Sequence, residues 1–320
     1  MDAIVMNVFV AKKFVIVLIT LLIVSILAFL VPYVGSDDPA RAILRARTVD
    51  DALDPAAIEA LRAELGLNRS LIAQYLGWLW RALHLDFGYS FATRTAVDVM
   101  FVQALKVTSL LAISALILAM VIAVPLGTIA AMRPARMFDN AVTVFTQTLI
   151  AIPEYWAGPL LVLFFSIHMG WLPSAGWRDF NSTILPVVVL SLRPIAYFTQ
   201  VSRSAMVEVL RAPYIGAARG RGLTASQTLV RHGLRNGMLP VITMFSLWLT
   251  SLLGGSVVVE VIFGIPGMGW LLYDAVLNND APLIQASIVF IVALAALINT
   301  ITDIGYALLN PSVRLTHDKA

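Results

Sequence analysis

Residues 14–34 read FVIVLITLLIVSILAFLVPYV, 21 residues without a charge, directly after Lys12 and Lys13. Crossing ~30 Å of hydrocarbon at ~1.5 Å per helical residue takes ~20 apolar residues, so this stretch is long enough to span a bilayer. A secretory leader has a shorter apolar region, about 7–15 residues, followed by an A-x-A-like site. Neither feature fits here, so the stretch is read as an uncleaved first span.

Working outward, Val107–Met132 is a second uncharged run. A third lies between Ala141 and Ile167, interrupted only by Pro153-Glu154, and a fourth, Ile184–Ser202, contains Arg193-Pro194. Met238–Val259 and Leu283–Thr302 complete six. Only helices or closed barrels satisfy their backbone groups in lipid, and strand-type alternation is missing. The expected fold is an all-α integral membrane protein with six transmembrane helices. Composition agrees: 59% of the 320 residues are hydrophobic and 13% charged, against about a quarter charged in soluble domains. A soluble enzyme is excluded. The net charge of +3 suggests nucleic acid only until the basic residues are located, because they flank the spans. No cysteine is present, so there is no disulfide framework or thiolate metal site.

Lysine and arginine accumulate in cytoplasmic loops. With the N-terminus inside, the inner segments hold Lys12, Lys13, Arg133, Arg136, Arg203, Arg211, Arg219, Arg221, Arg231, Arg235, Arg314 and Lys319, twelve in all. The short outer loops near 168–183 and 260–282 hold one, Arg178. Both termini are therefore expected in the cytoplasm. The long segment 35–106 then lies outside, since long loops translocate largely regardless of charge. Within it, Ala56–Leu65 reads as a short helix with Gly66 as its C-terminal cap. Ser70–Leu83 places Leu71, Ile72, Tyr75, Leu76, Leu79 and Leu83 at helical spacing, and Trp78 and Trp80 point to the membrane interface. Such a folded outer segment serves either as a packed lid or as a contact for an external partner.

Several chemistries are missing. The lysines are Lys12, Lys13, Lys106 and Lys319, none after glycine, so no Walker A loop exists. His84, His168, His232 and His317 are far apart, without an H-E-x-x-H pair, and no G-x-S-x-G elbow occurs.

The longest internal segment that is basic and only moderately apolar is Arg203–Arg235, which with the next five residues reads RSAMVEVLRAPYIGAARGRGLTASQTLVRHGLRNGMLP. Glu208–Gly220 reads as an inward continuation of the fourth helix, with Gly216, Ala217 and Ala218 leaving room for a partner. Gly222 suits a left-handed position past a helix end. Thr224 and Gln227 form a capping-box pattern for a short helix from Ala225 to about Leu234, expected to end before Pro240 starts span five. Helix, glycine turn and short basic helix make a knob suited to a groove on a cytoplasmic partner.

This loop resembles a known family. Gly216–Gly222, G-A-A-x-x-x-G, is similar to the cytoplasmic "EAA" loop of binding-protein-dependent ABC importer permeases, with Gly216 where that family usually has glutamate. Arg231–Pro240, RHGLRNGMLP, is similar to its continuation in peptide and nickel permeases. Leu65–Leu85 with DFGYSF at Asp86–Phe91 resembles the outer segment of dipeptide/oligopeptide permeases. So do Ile152–Trp156, Gly170–Pro173, Glu260–Gly269 with Asp280-Ala281-Pro282 and Gln285, and Tyr306–Arg314, in the family's order. The likeness is to the first of the two permease types in peptide systems.

The resemblance implies a type I ABC importer transmembrane fold. Residues 1–95 would form the first span and outer segment, and 96–311 a five-helix permease domain with a coupling loop at 203–236. It implies a permease subunit in the bacterial cytoplasmic (inner) membrane, moving di- or oligopeptides by alternating access. Its implied partners are a second homologous permease, two ATPase subunits (or one fused) that bind ATP and Mg, an extracytoplasmic binding protein and membrane lipid, with no nucleic acid. The chain itself would carry no catalytic residue, metal or cofactor. Gly216, Ala217, Ala218, Gly222, Thr224, Gln227, Arg231 and Arg235 would form the ATPase-coupling interface. Nickel or glutathione in place of peptides, and an intramembrane enzyme using Glu154 as an acid, are the alternatives. A secondary transporter is not favoured, because neither half of the chain repeats the other.

Charges in mid-membrane cost ~2.5–3.5 kcal/mol on insertion scales, so Glu154 and Arg193 should face protein or water. They form either a structural ion pair or part of the translocation path. Glu260, before the turn Phe263–Gly267, belongs either to an interfacial loop anchored by Trp270 or to the outer gate and pathway.

Overall fold

The computed structural model describes residues 2–34, 40, 41, 44, 54–64 and 66–309. Arg314, Lys319 and the end of the 306–314 stretch lie outside the described residues, as do Leu65 and the side chain of Arg235. In chain order the helices are α1 (Asp2–Val34), α2 (Pro55–Glu64), α3 (Leu71–Leu83), α4 (Val97–Met132), α5 (Met137–Ala151), α6 (Glu154–Leu161), α7 (Phe180–Arg211), α8 (Pro213–Gly220), α9 (Ala225–Thr228), α10 (Arg235–Gly255), α11 (Val257–Phe263), α12 (Met268–Leu277) and α13 (Ala281–Leu309). Wider π-helical turns, Val162–His168 and Leu229–Leu234, extend α6 and α9. Among the described residues the only strand-like pairing is one isolated bridge, Tyr89 to Ala96.

Five helices (α1, α4, α7, α10 and α13) are long and apolar enough to cross a membrane, and up to seven spans result if two bent pairs, α5 with α6 and α11 with α12, each count as one. The expected third span is one of these pairs, and it is not a straight helix. α5 and the α6 segment Glu154–His168 meet at 94°. Ile152 is extended at ψ 118°, because a residue before proline is pushed out of the helical region. Pro194, by contrast, lies inside the continuous α7.

The expected inward run of the fourth helix to Gly220 also breaks. α7 ends at Arg211, Ala212 is extended at ψ 143°, and Pro213 opens α8 as its first residue. Proline is favoured there, since its missing N–H would have no intrahelical partner anyway.

The residues divide into two compact units, Met1–Val107 with Pro266–Ala320, and Thr108–Ile265. In the first, α1 packs on α13, and Lys13 Nζ meets Asp303 Oδ2 at 2.6 Å. Gln285 Nε2 donates to the Phe29 carbonyl across the same pair. α3 lies on α1: Ser25 and Tyr75 share a 2.9 Å hydrogen bond, and the Phe29 ring meets Tyr75 and Trp78. Val97, Phe101, Met268, Leu271 and Leu283 are buried in its core, where the Phe101 and Phe290 rings stack at 4.1 Å.

In the second unit α7 is the central helix, with α5, α6 and α10 against it. Small residues set the spacing. A Cβ added at Gly127 would lie 2.6 Å from Thr199 O, so α4 there touches the backbone of α7. Gly233 and Gly237 receive the Met206 side chain in the same way.

Candidate functional site

The 203–236 loop projects a face of small and polar residues. On α8, Ile215 and Ala218 are buried, whereas Gly216, Ala217 and Gly220 are exposed with nothing within 4 Å of a Cβ at either glycine. Gly222 has φ +87°, the left-handed conformation read from its position, and its N–H donates to Arg219 O at 2.9 Å. The capping box is formed reciprocally. Gln227 N donates to Thr224 Oγ1 at 3.3 Å, and Thr224 N donates to Gln227 Oε1 at 3.1 Å. Arg231 is exposed one turn further on.

One boundary differs from the expectation. The helix from Ala225 does not stop before Pro240; the backbone stays helical through Leu229–Leu234 into α10, which contains Pro240. Met206, seated against Gly233 and Gly237, holds this continuous stretch on α7.

A residue absent from the sequence reading anchors the base of this loop. Asp139, 2% exposed in the first turn of α5, accepts from Arg203 Nε and, at 2.6 Å, from Arg203 Nη2. Its Oδ2 also accepts from Ala135 N at 2.7 Å. The bidentate pair fastens the 133–136 turn and the start of α5 to α7, eight residues before its C-terminal end at Arg211. Its sequence signal was an acid in a helix's first turn, three residues past Arg136. Beside it, a cavity of about 270 Å³ is lined by Met132, Val207, Leu210, Arg211, Arg219 and Leu229 among others.

Glu154 and Arg193 are brought together, but loosely. Arg193 Nε lies 3.8 Å from Glu154 Oε1, and the side chains are 45% and 21% exposed. This is an ion pair without a hydrogen bond, at the bend between α5 and α6. Glu260 is placed differently. It is 0% exposed, and its Oε1 accepts from Thr108 Oγ1 and Ser256 Oγ, each at 2.7 Å. Buried hydroxyl donors satisfy a carboxylate that would otherwise be costly in the interior. Four residues on, Gly264 at φ +59° ends α11, and Phe263 O accepts from Gly176 N at 2.7 Å.

In the other unit, Asp280, 1% exposed, accepts from Ser90 Oγ and from Phe91 N at 3.1 Å. Two sequence stretches almost 190 residues apart, DFGYSF and Asp280-Ala281-Pro282, thus close on one carboxylate. Among the described residues no three His, Cys, Asp or Glu side chains are gathered as for a metal ion.

The family described as binding-protein-dependent transport system inner membrane component matches residues 123–315, and its N-terminal companion matches residues 6–112. A putative peptide transport system permease protein of Brucella abortus is 35% identical over 92% of this chain and 95% of its own length. The oligopeptide transport system permease protein AppB of Bacillus subtilis is 36% identical over 92% of this chain and 95% of its own. For the glutathione transport system permease protein GsiC of Escherichia coli K12 the values are 35%, 96% and 98%. Among solved structures, a chain of the inward-facing MetNI methionine ABC transporter superposes with a TM-score of 0.56, at 20% identity, covering 66% of this chain and 96% of that one. That likeness shows the fold.

Proposed function

Because this chain belongs to the family of binding-protein-dependent transport system inner membrane components, we propose that it imports peptides as one of two permease subunits in an ATP-driven complex. A multi-pass permease of this family is a transport subunit and not itself an enzyme, so the reading of Glu154 as an intramembrane acid is set aside. The observation that carries the reading is the family match over residues 123–315, which contains the whole 203–236 loop. Peptide as cargo is supported by the Brucella and Bacillus relatives; glutathione, itself a tripeptide, is the second reading, supported by the Escherichia coli relative.

In this proposal both termini and the 203–236 loop are cytoplasmic. The exposed face of Gly216, Ala217, Gly222, Thr224, Gln227 and Arg231 meets a separate ATPase, which binds ATP and Mg, and an external binding protein delivers the cargo. ATP draws the two ATPases together, the knobs follow, and the spans rearrange to expose the path to the outside. The chain's own part is mechanical. Asp139 and Arg203 join α5 to α7 near the knob, so that a displacement of α8 is passed to both helices. Glu154 and Arg193 lie beside the path in this reading, while buried Glu260 holds α11 to α4.

Affinity purification of the tagged chain from native membranes, with mass spectrometry of what accompanies it, tests the proposal. An ATPase and a second permease are expected. A chain that purifies intact and transport-competent without any ATPase would overturn it.

A further inference from the structure

The first unit contains a cavity of about 940 Å³. Its walls include Tyr33 from α1 and Ala281 from α13. Tyr33 is the last residue of one apolar span and Ala281 the first of another, so the cavity sits where hydrocarbon gives way to headgroups. Trp78, Tyr33 and Tyr89 line it, aromatic residues of the kind that concentrate at this depth. α3, which forms one side, exposes Ile72, Leu76, Trp80 and Leu83 at helical spacing, the pattern of a helix lying in the interface.

Arg69, Arg81 and Arg94 also line the cavity. Among the described residues none of the three has a carboxylate within ion-pair distance. Three exposed guanidinium groups around one cavity, none with a carboxylate partner among the described residues, make a positive lining that attracts an anion. Guanidinium is matched to phosphate, which it binds through paired N–H donors. We propose that the cavity holds the phosphate of an anionic phospholipid headgroup, with Arg69, Arg81 and Arg94 as its contacts. The lipid would fix α3 and the 86–94 turn against the ends of α1 and α13.

The test titrates the delipidated full complex in detergent with phosphatidylglycerol and counts bound lipid by native mass spectrometry. Each arginine near a charged surface contributes about five-fold in affinity, so Arg69→Gln, Arg81→Gln and Arg94→Gln together should weaken the site about a hundred-fold. Arg94→Gln alone should cost about five-fold, which keeps the test decisive if the triple variant fails to assemble. Arg178→Gln, in the other unit, should leave binding unchanged, and phosphatidylcholine should not compete. Equal phosphatidylglycerol binding by wild type and an assembled triple variant would overturn the proposal. So would displacement of the lipid by millimolar inorganic phosphate, which marks a free-anion site, or by a peptide with a free carboxylate, which marks a cargo site.

Discussion

Replacing Gly127 by alanine tests how closely α4 lies on α7. The new Cβ would sit 2.6 Å from Thr199 O, 2.9 Å from Arg203 N and 2.9 Å from Ser202 Cβ. Comfortable carbon contacts begin near ~3.5 Å, so the helices must part by about 0.9 Å. Two of the three atoms are backbone, which no rotamer change can move. Overpacking of this kind costs ~1–3 kcal/mol, and the better helix propensity of alanine returns ~0.8–1 kcal/mol. A net loss of about 1 kcal/mol follows. The same change at Gly216, where nothing lies within 4 Å, meets no clash and should keep the propensity gain. Unfolding of the two purified variants in one detergent, by heat or by dodecyl sulfate, should therefore move in opposite directions. Shifts of the same sign and size would refute the close approach of α4 to α7.

Arg203→Gln should destabilise by ~3–5 kcal/mol, because it leaves the buried Asp139 carboxylate unpaired, and Asp139→Asn added to it should recover part of the loss in a double-mutant cycle; additive losses would count against the clamp. The longer, more exposed Glu154–Arg193 pair at 3.8 Å should show a coupling below ~1 kcal/mol, and a value near 3 would mean that the two groups meet more tightly than this. Since the chain has no cysteine, Ala60→Cys should react with an impermeant maleimide in intact cells and Ser226→Cys should not; outside labelling of the second reverses the topology.

Local signals were legible to the residue. The left-handed Gly66 and Gly222 and the Thr224–Gln227 capping box follow from residue types at fixed offsets, and the structure has each of them. Helix continuity was legible only in part. Pro153 was visible as an interruption, but an apolar run carries no direction, so a 94° bend and a straight span look alike in sequence. Pro213 broke a helix that its neighbours Glu208–Gly220 otherwise favour, while Pro240 lies inside the continuous α10. The long-range contacts were not legible at all. Nothing in the neighbourhood of Asp139 or Asp280 names Arg203 or Ser90, which arrive only when the chain folds back over 64 and 190 positions.

Transport in this protein is driven through the 213–227 knob in the proposed mechanism. Gly222→Val isolates it, because at φ +87° with open space around it the only effect is backbone strain, ~1–3 kcal/mol confined to the turn. ATP hydrolysis and peptide uptake should be measured together in proteoliposomes carrying the complete complex, with Arg178→Ala, outside the 203–236 loop, as a control. The control should match wild type, while Gly222→Val should assemble less ATPase or move less peptide per ATP hydrolysed. Normal subunit stoichiometry with normal uptake per ATP would contradict that mechanism.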